Sequence, residues 1–172
     1  MALKEEVMEL LRQGRDEALA ELAASNRKAL RPLMGRLWDP DPEIRRRAAS
    51  AVGCAAVTHE ELGIDIVRRL LWALNDEAAT NGVFGIPALG EIGRRSPAML
   101  APHVPALVSM ARDAGLRTEL LRALLAVADT DPRQVAPHLE ALTRLVEPAG
   151  PEDAELLRRL HEAVGEGRSN DA

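Results

Sequence analysis

The chain has 172 residues, a net charge of −5 and a single cysteine, Cys54. This length suits one domain or one short repeat array with a buried core, and a content of 47% hydrophobic and 28% charged residues is typical of a globular chain. One cysteine excludes an internal disulfide and a cysteine metal cluster, and the negative charge argues against a general nucleic-acid binder.

Apolar residues recur at helical spacing along the chain and predict about five helical hairpins. In the second hairpin they fall at i, i+3, i+4, i+7 and i+8, which is one stripe of an α-helix. Leu, Ala and Val supply most of this apolar content and aromatic residues make up only 2%, which favours closely packed helices over a β-sandwich. The hairpins are predicted near residues 3–24, 26–57, 63–95, 99–129 and 133–165.

A local pattern returns along the chain at intervals of 35–37 residues. Three related helical segments end in Asp39, Asp76 and Asp113, each 37 residues after the last, and Pro102-His103 returns as Pro137-His138 at a spacing of 35. A period of this length that holds two helices is typical of a helical-hairpin solenoid. The sequence therefore predicts an all-α fold, specifically an α–α superhelix of about five hairpins.

The two ends of the chain fit a repeat array with capped ends. Both terminal hairpins keep an apolar stripe, and the last predicted helix carries a charged outer face, which a terminal repeat needs for contact with water. We expect a single repeat domain over residues 1–165, followed by a flexible tail over residues 166–172.

The segment from Asp39 to Gly53 resembles the second-helix signature of HEAT repeats, including the bacterial subgroup named after phycobilisome lyases. The resemblance covers roughly residues 26–147, and residues 71–92 are also similar to a segment of small bacterial HEAT-like proteins. In the HEAT family an Asp in the turn and an Arg early in the second helix commonly link successive repeats. The resemblance thus implies a HEAT-like solenoid with Asp39 and Arg45 in those places, and it implies little about function.

The sequence contains no glycine-rich phosphate loop and no common hydrolase or metalloprotease signature. Some HEAT-like enzymes hold two irons on four His-Glu pairs, but here His59-Glu60 falls beyond its helix and His161-Glu162 stands alone. His103 and His138 are interpreted as first-turn residues of outer helices. We therefore expect no metal and no cofactor, and the chromophore-lyase role of the subgroup has no recognisable site here.

Arginines are grouped at residues 45–47, 68–69 and 94–95, and they would form a basic strip if their helices converged. DNA-repair enzymes built on a HEAT scaffold use such a strip together with stacking aromatic residues. The alternative interpretation is exposed helix positions balanced by neighbouring acidic residues. We expect no specific nucleic-acid partner, and we interpret Cys54 as a buried, inert thiol.

The second of the three aligned repeats departs from the pattern. Gly82 stands 37 residues after Arg45, and Pro87 stands where the first repeat has the mid-helix Ser50. We expect the helix to begin near Pro87 or to kink there, so that residues 75–86 form a long irregular connection, which is either functional or merely tolerated. The residues expected near it are Trp72, Asn75, Asp76, Glu77, Asn81, Phe84 and Glu91.

These patterns favour a non-catalytic interaction or scaffold module that binds a protein or peptide partner on its concave helical face. The seven residues around the irregular connection are the tentative partner-binding site. The alternative is an enzyme or an enzyme-associated, lyase-like chaperone that uses the acidic, glycine-containing connection. The first 20 residues contain no signal-peptide core, and no uncharged run reaches transmembrane length, so we expect a cytoplasmic location and no membrane contact.

Overall fold

The computed structural model describes residues 2–75 and 82–170, the last three of them by backbone alone. The fold is all-α, as the sequence predicts, and no strand occurs within these two ranges. The chain divides into two compact units, Met1–Ile92 and Gly93–Ala172. The α–α superhelix and the single repeat domain stay predictions.

The first unit is built from five complete helices within its described residues, and a sixth crosses into the second unit. They are α1 (Leu3–Arg12), α2 (Asp16–Ser25), α3 (Leu30–Gly35), α4 (Pro42–Thr58), α5 (Glu60–Asn75) and α6 (Ile86–Arg95). α1 packs against α2, α3 and α4, α2 runs along α4, and α4 also contacts α5. Gly14 joins α1 to α2 at a φ of +66°, a conformation that favours glycine. Leucines such as Leu11, Leu33 and Leu70 are at most 1% exposed and form the core.

The second unit repeats this packing scheme. Its helices are α7 (Pro97–Leu100), α8 (Val104–Met110), α9 (Ala114–Thr130), α10 (Leu139–Val146) and α11 (Pro151–Asn170). α8 packs against α9 and α10, α9 packs against α11, and α7 contacts α9. In each unit, therefore, two first helices pack on each other (α1 on α3, α8 on α10), and so do two second helices (α2 on α4, α9 on α11). The buried side chains of this unit include Leu107, Leu124, Leu142 and Leu160, each 0% exposed.

Helices α4 and α9 show the repeat most directly. Each has 17 residues, and each is capped by an aspartate, Asp41 or Asp113, whose side chain accepts a hydrogen bond from a backbone N–H two residues on. These two caps lie 72 residues apart. The predicted alignment of Asp39 with Asp113 is therefore wrong by two residues, because the cap equivalent to Asp113 is Asp41.

An extended residue follows the second helix of successive hairpins and turns the chain into the next one. Asn26, His59, Ser96 and Asp131 occupy this corner, with φ between −133° and −147° and ψ between 83° and 107°. The side chains of Asn26 and Asp131 cap the following turn by accepting from a backbone N–H. The corners are 33, 37 and 35 residues apart, so two of the three spacings fall within the predicted period of 35–37 residues.

The repeated Pro-His dipeptides also lie in equivalent places. Each ends a 3₁₀ turn, Ala101–His103 or Ala136–His138, and the histidine then directly precedes α8 or α10. Both histidines have a φ near −105° and are half-buried. They lie at the starts of first helices of hairpins, close to the predicted first-turn positions.

Half of the predicted irregular connection over residues 75–86 lies outside the described residues, namely residues 76–81. Asn75 is the last residue of α5, residues Gly82–Gly85 form a 3₁₀ turn, and α6 begins at Ile86. Pro87 is thus in the first turn of α6, where its missing N–H costs nothing, and the first of the two predicted outcomes is confirmed. At the other end, α11 continues to Asn170, so residues 166–170 of the predicted tail extend the last helix.

None of the helices in the described ranges combines the length and the apolar character that crossing a membrane requires.

Candidate partner-binding surface

The predicted site residues are distributed over three consecutive elements. Trp72 and Asn75 lie near the end of α5, Phe84 lies in the 3₁₀ turn Gly82–Gly85, and Glu91 lies in α6. This 3₁₀ turn packs against α5 and against a second 3₁₀ turn, Arg36–Trp38. Asp76, Glu77 and Asn81 fall outside the described residues, so their part of the predicted site stays a prediction.

Exposed large apolar side chains are confined to this part of the first unit. Within the described residues they are Ile64, Trp72 and Phe84, with exposed fractions of 52%, 70% and 37%. Ile64 and Trp72 are two helical turns apart on α5, and the exposed Arg68 lies between them, so the three share one face. The opposite face of α5 carries buried residues such as Leu70. α5 therefore carries large apolar side chains outside its buried face as well as on it.

Two glycines explain how the Gly82–Gly85 turn reaches its place. A Cβ added to Gly82 would lie 2.8 Å from the carbonyl oxygen of Ala73, and one added to Gly85 would lie 3.2 Å from Cδ2 of Leu70. Both glycines are buried, so they allow the turn to lie directly on α5. The sequence treats them as residues that loosen a connection, whereas the structure uses them for close packing.

Phe84 is held from the other side by Arg45 of α4. The guanidinium carbon of Arg45 lies 5.0 Å from the centroid of the Phe84 ring, a cation–π arrangement. Arg45 Nη1 also donates to the carbonyl oxygens of Asp39 (2.7 Å) and Pro40 (3.1 Å). Arg45 thus lies early in α4 as the resemblance implies, but it bonds the backbone of the turn rather than the Asp39 carboxylate.

Asn75 and Glu91, the other two described residues of the predicted site, contact their own helix or a neighbouring one. The Asn75 side chain is exposed and donates to the carbonyl oxygen of Leu71 (2.9 Å). Glu91 is half-buried, and its Cβ lies 2.6 Å from the place where a Cβ on Gly53 would be. The Glu91 stem is therefore packed against α4.

Some arginines of the predicted basic strip pair with carboxylates of their own helices. Arg46 and Arg47 both donate to the Glu43 carboxylate, at 2.7–2.9 Å, and these bonds lower the pKa of Glu43 to about 2. Arg47 also donates to the carbonyl oxygens of Leu11 and Arg12 at the end of α1. On α5, Arg69 Nη2 lies 3.0 Å from Asp65 Oδ2. These arginines support the fold, which favours the second interpretation, exposed positions balanced by acidic neighbours.

The histidines and the cysteine have structural surroundings. No group of three or more His, Cys, Asp or Glu within the described ranges is arranged to hold a metal ion. His59 Nε2 lies 3.3 Å from Glu21 Oε1, and His161 Nε2 lies 3.0 Å from the Thr143 hydroxyl. Cys54 is 7% exposed. A buried thiol is what the sequence predicts for this position.

Sequence reasoning missed two features of this unit. The exposure of Ile64 was one. It could have been predicted, because Ile64 lies outside the apolar stripe that helical periodicity assigns to α5. A group of basic residues formed by Lys4, Lys28 and Arg31 was also missed, because its members are distant in the sequence and come together only on folding.

No protein-family model, no curated protein and no solved structure matches the chain. The resemblance to HEAT repeats accordingly stays a prediction.

Proposed function

We propose that the chain is a non-catalytic interaction module that binds a protein or peptide partner on an exposed helical surface, with Trp72 and Phe84 as the anchors. The observation that carries this proposal is the exposure of two of the three aromatic residues of the chain on neighbouring elements. Tryptophan is enriched among the side chains that dominate binding energy at protein interfaces. The aliphatic Ile64, on the same face of α5, extends the apolar surface offered to the partner.

The form of the surface also favours a macromolecular partner. Trp72 is 70% exposed on the outside of a helix rather than inside a cleft. A small molecule needs a concave site that removes most of its surface from water, whereas a partner helix or loop covers an exposed face. Phe84 is held by Arg45 on one side and by the packing of its turn on α5, so it requires little ordering on binding.

The alternative, an enzyme or an enzyme-associated chaperone, depends on the acidic connection that contains Asp76, Glu77 and Asn81. These residues lie outside the described ranges. This alternative stays a prediction without an observation in its favour.

Site-specific photo-crosslinking in the native host tests the proposal. A photoreactive amino acid at position 72 should capture one defined partner, whereas the same amino acid at the exposed Ala106 in α8 should not. With that partner purified, Trp72→Ala should weaken binding by about 30-fold, since truncation of an anchor costs about 2 kcal/mol or more. The melting temperature should stay close to that of the wild type, because the side chain is mostly in water.

Two results would contradict the proposal. One is the same set of captured proteins from positions 72 and 106. The other is unchanged partner affinity in the double variant Trp72→Ala/Phe84→Ala.

A further inference from the structure

A second surface of the first unit carries a concentration of positive charge. A depression of about 710 Å³ lies between the start of α1, the 3₁₀ turn Arg27–Ala29 and α3. Its basic lining residues are Lys4, Lys28, Arg31 and Arg36, and its apolar ones include Leu3 and Pro32. Lys4 and Lys28 are the only lysines in the sequence, and both line this depression.

Three of these four cations have no acidic partner. Within the described part of the chain, no carboxylate oxygen lies within 4.0 Å of Lys4, Lys28 or Arg31, whereas Arg36 is bonded to Asp39 at 2.9 Å. The neighbouring Glu5 carboxylate accepts a hydrogen bond from the backbone N–H of Ala2 (3.2 Å). Elsewhere in the unit, arginines such as Arg46, Arg47 and Arg69 are paired. The depression therefore brings together three positive charges that have no carboxylate nearby, in a chain whose net charge is −5.

The shape and lining of the depression select among anionic ligands. Lys4, Lys28 and Arg31 are all exposed, so the depression is open to water and gives a small anion little burial. No aromatic side chain lines it, so bases of a nucleic acid have nothing to stack on. An acidic peptide, in contrast, places several carboxylates along three cations and an aliphatic side chain on Leu3 and Pro32.

We propose that this depression binds an acidic peptide segment of a partner protein. Carboxylates of the peptide pair with Lys4, Lys28 and Arg31, and an aliphatic residue between them packs on Leu3 and Pro32. Charge complementarity steers the peptide to this surface and makes its binding depend on salt. The site is built from α1, α3 and the turn between α2 and α3, so it does not depend on Trp72 and Phe84, and either proposal can fail alone.

The test measures binding of short fluorescent peptides, in which Asp and Glu alternate with Leu, to the full chain at low salt. The variant Lys4→Gln/Lys28→Gln/Arg31→Gln should bind at least about tenfold more weakly, because it removes the three charges that face the peptide. The matched control is Arg12→Gln/Arg15→Gln/Arg159→Gln, which changes the net charge equally at exposed positions outside the depression. It should bind like the wild type, as should Trp72→Ala.

Leu3→Ala separates a peptide site from a simple charge patch. It should weaken binding of the Leu-containing peptide more than binding of a peptide with Ser in place of Leu. Equal losses in the two triple variants would overturn the proposal. So would binding of anionic phospholipid vesicles or of single-stranded RNA that is tighter than binding of any acidic peptide and is lost in the first triple variant. A change in oligomeric state in the first triple variant alone would instead identify a second copy of the chain as the occupant and overturn the proposal.

Discussion

Two arginines hold the turns that precede the long second helices. Arg45 donates to the carbonyl oxygens six and five residues before it, and Arg117 does the same to Ala111 (2.8 Å) and Arg112 (3.1 Å). These carbonyls lie in the turn that directly follows the preceding helical segment, where carbonyl groups need donors from outside the helix. The same pair of bonds at both places makes Arg45 and Arg117 equivalent, 72 residues apart.

Arg45→Ala should therefore lower the free energy of unfolding by about 1–3 kcal/mol, because two carbonyl groups lose a charged donor. Its neighbour Arg46 supplies the control. Arg46 is exposed and bonds only the Glu43 carboxylate, so Arg46→Ala should cost less than about 1 kcal/mol. Urea unfolding of the two variants measures the difference, and equal losses would contradict the role given to Arg45.

At the scale of elements, α4 and α6 approach each other closely at Gly53. A Cβ on Gly53 would lie 2.6 Å from Cβ of Glu91 and 3.2 Å from its backbone carbonyl carbon. A backbone atom cannot swing away as the end of a side chain can. The glycine therefore sets how closely α6 lies to α4.

Gly53→Ala should destabilise the protein by about 1–3 kcal/mol, because α6 must shift to admit the methyl group. Gly35, at the end of α3, has nothing within 4 Å of an added Cβ. Gly35→Ala should instead leave stability unchanged or raise it by up to about 1 kcal/mol, through helix propensity. Thermal melting should show a lower melting temperature for Gly53→Ala and an unchanged or higher one for Gly35→Ala. Equal losses in the two variants would show that close packing at Gly53 is not the cause.

The helices of this chain could be predicted from its sequence, but several of the contacts between them could not. The helices were predictable because helical periodicity is a local pattern. The Asp39–Asp113 alignment failed because aspartates stand at both 39 and 41, and only the cap and the arginine bonds decide which one is equivalent. The role of Gly82 and Gly85 was also hidden, since close packing on α5 is a tertiary contact. In the candidate surface, exposure of Trp72 could not be predicted because α5 carries large apolar side chains outside its buried face as well as on it.

For the whole molecule, the division into two compact units has a measurable consequence. Both tryptophans, Trp38 and Trp72, belong to the first unit, so tryptophan fluorescence reports on that unit alone, whereas far-ultraviolet circular dichroism reports on helices of both. Arrays of packed repeats lose two-state behaviour when their parts differ in stability. We expect urea unfolding curves from the two signals to have different midpoints. Coincident curves would show that the two units unfold as one.

Helices α4 and α9 have the same length and equivalent caps and arginine bonds, and each ends in a threonine whose hydroxyl donates to the carbonyl four residues back. Their exposed positions nevertheless differ, as where α4 has Glu43 and α9 has Gly115. The backbone geometry is thus maintained by a few recurring residues, and the remaining surface positions are free to diverge. In such a chain, mutation can change the exposed surface of one helix pair without altering its backbone, so exposed surfaces along the chain can evolve one helix pair at a time.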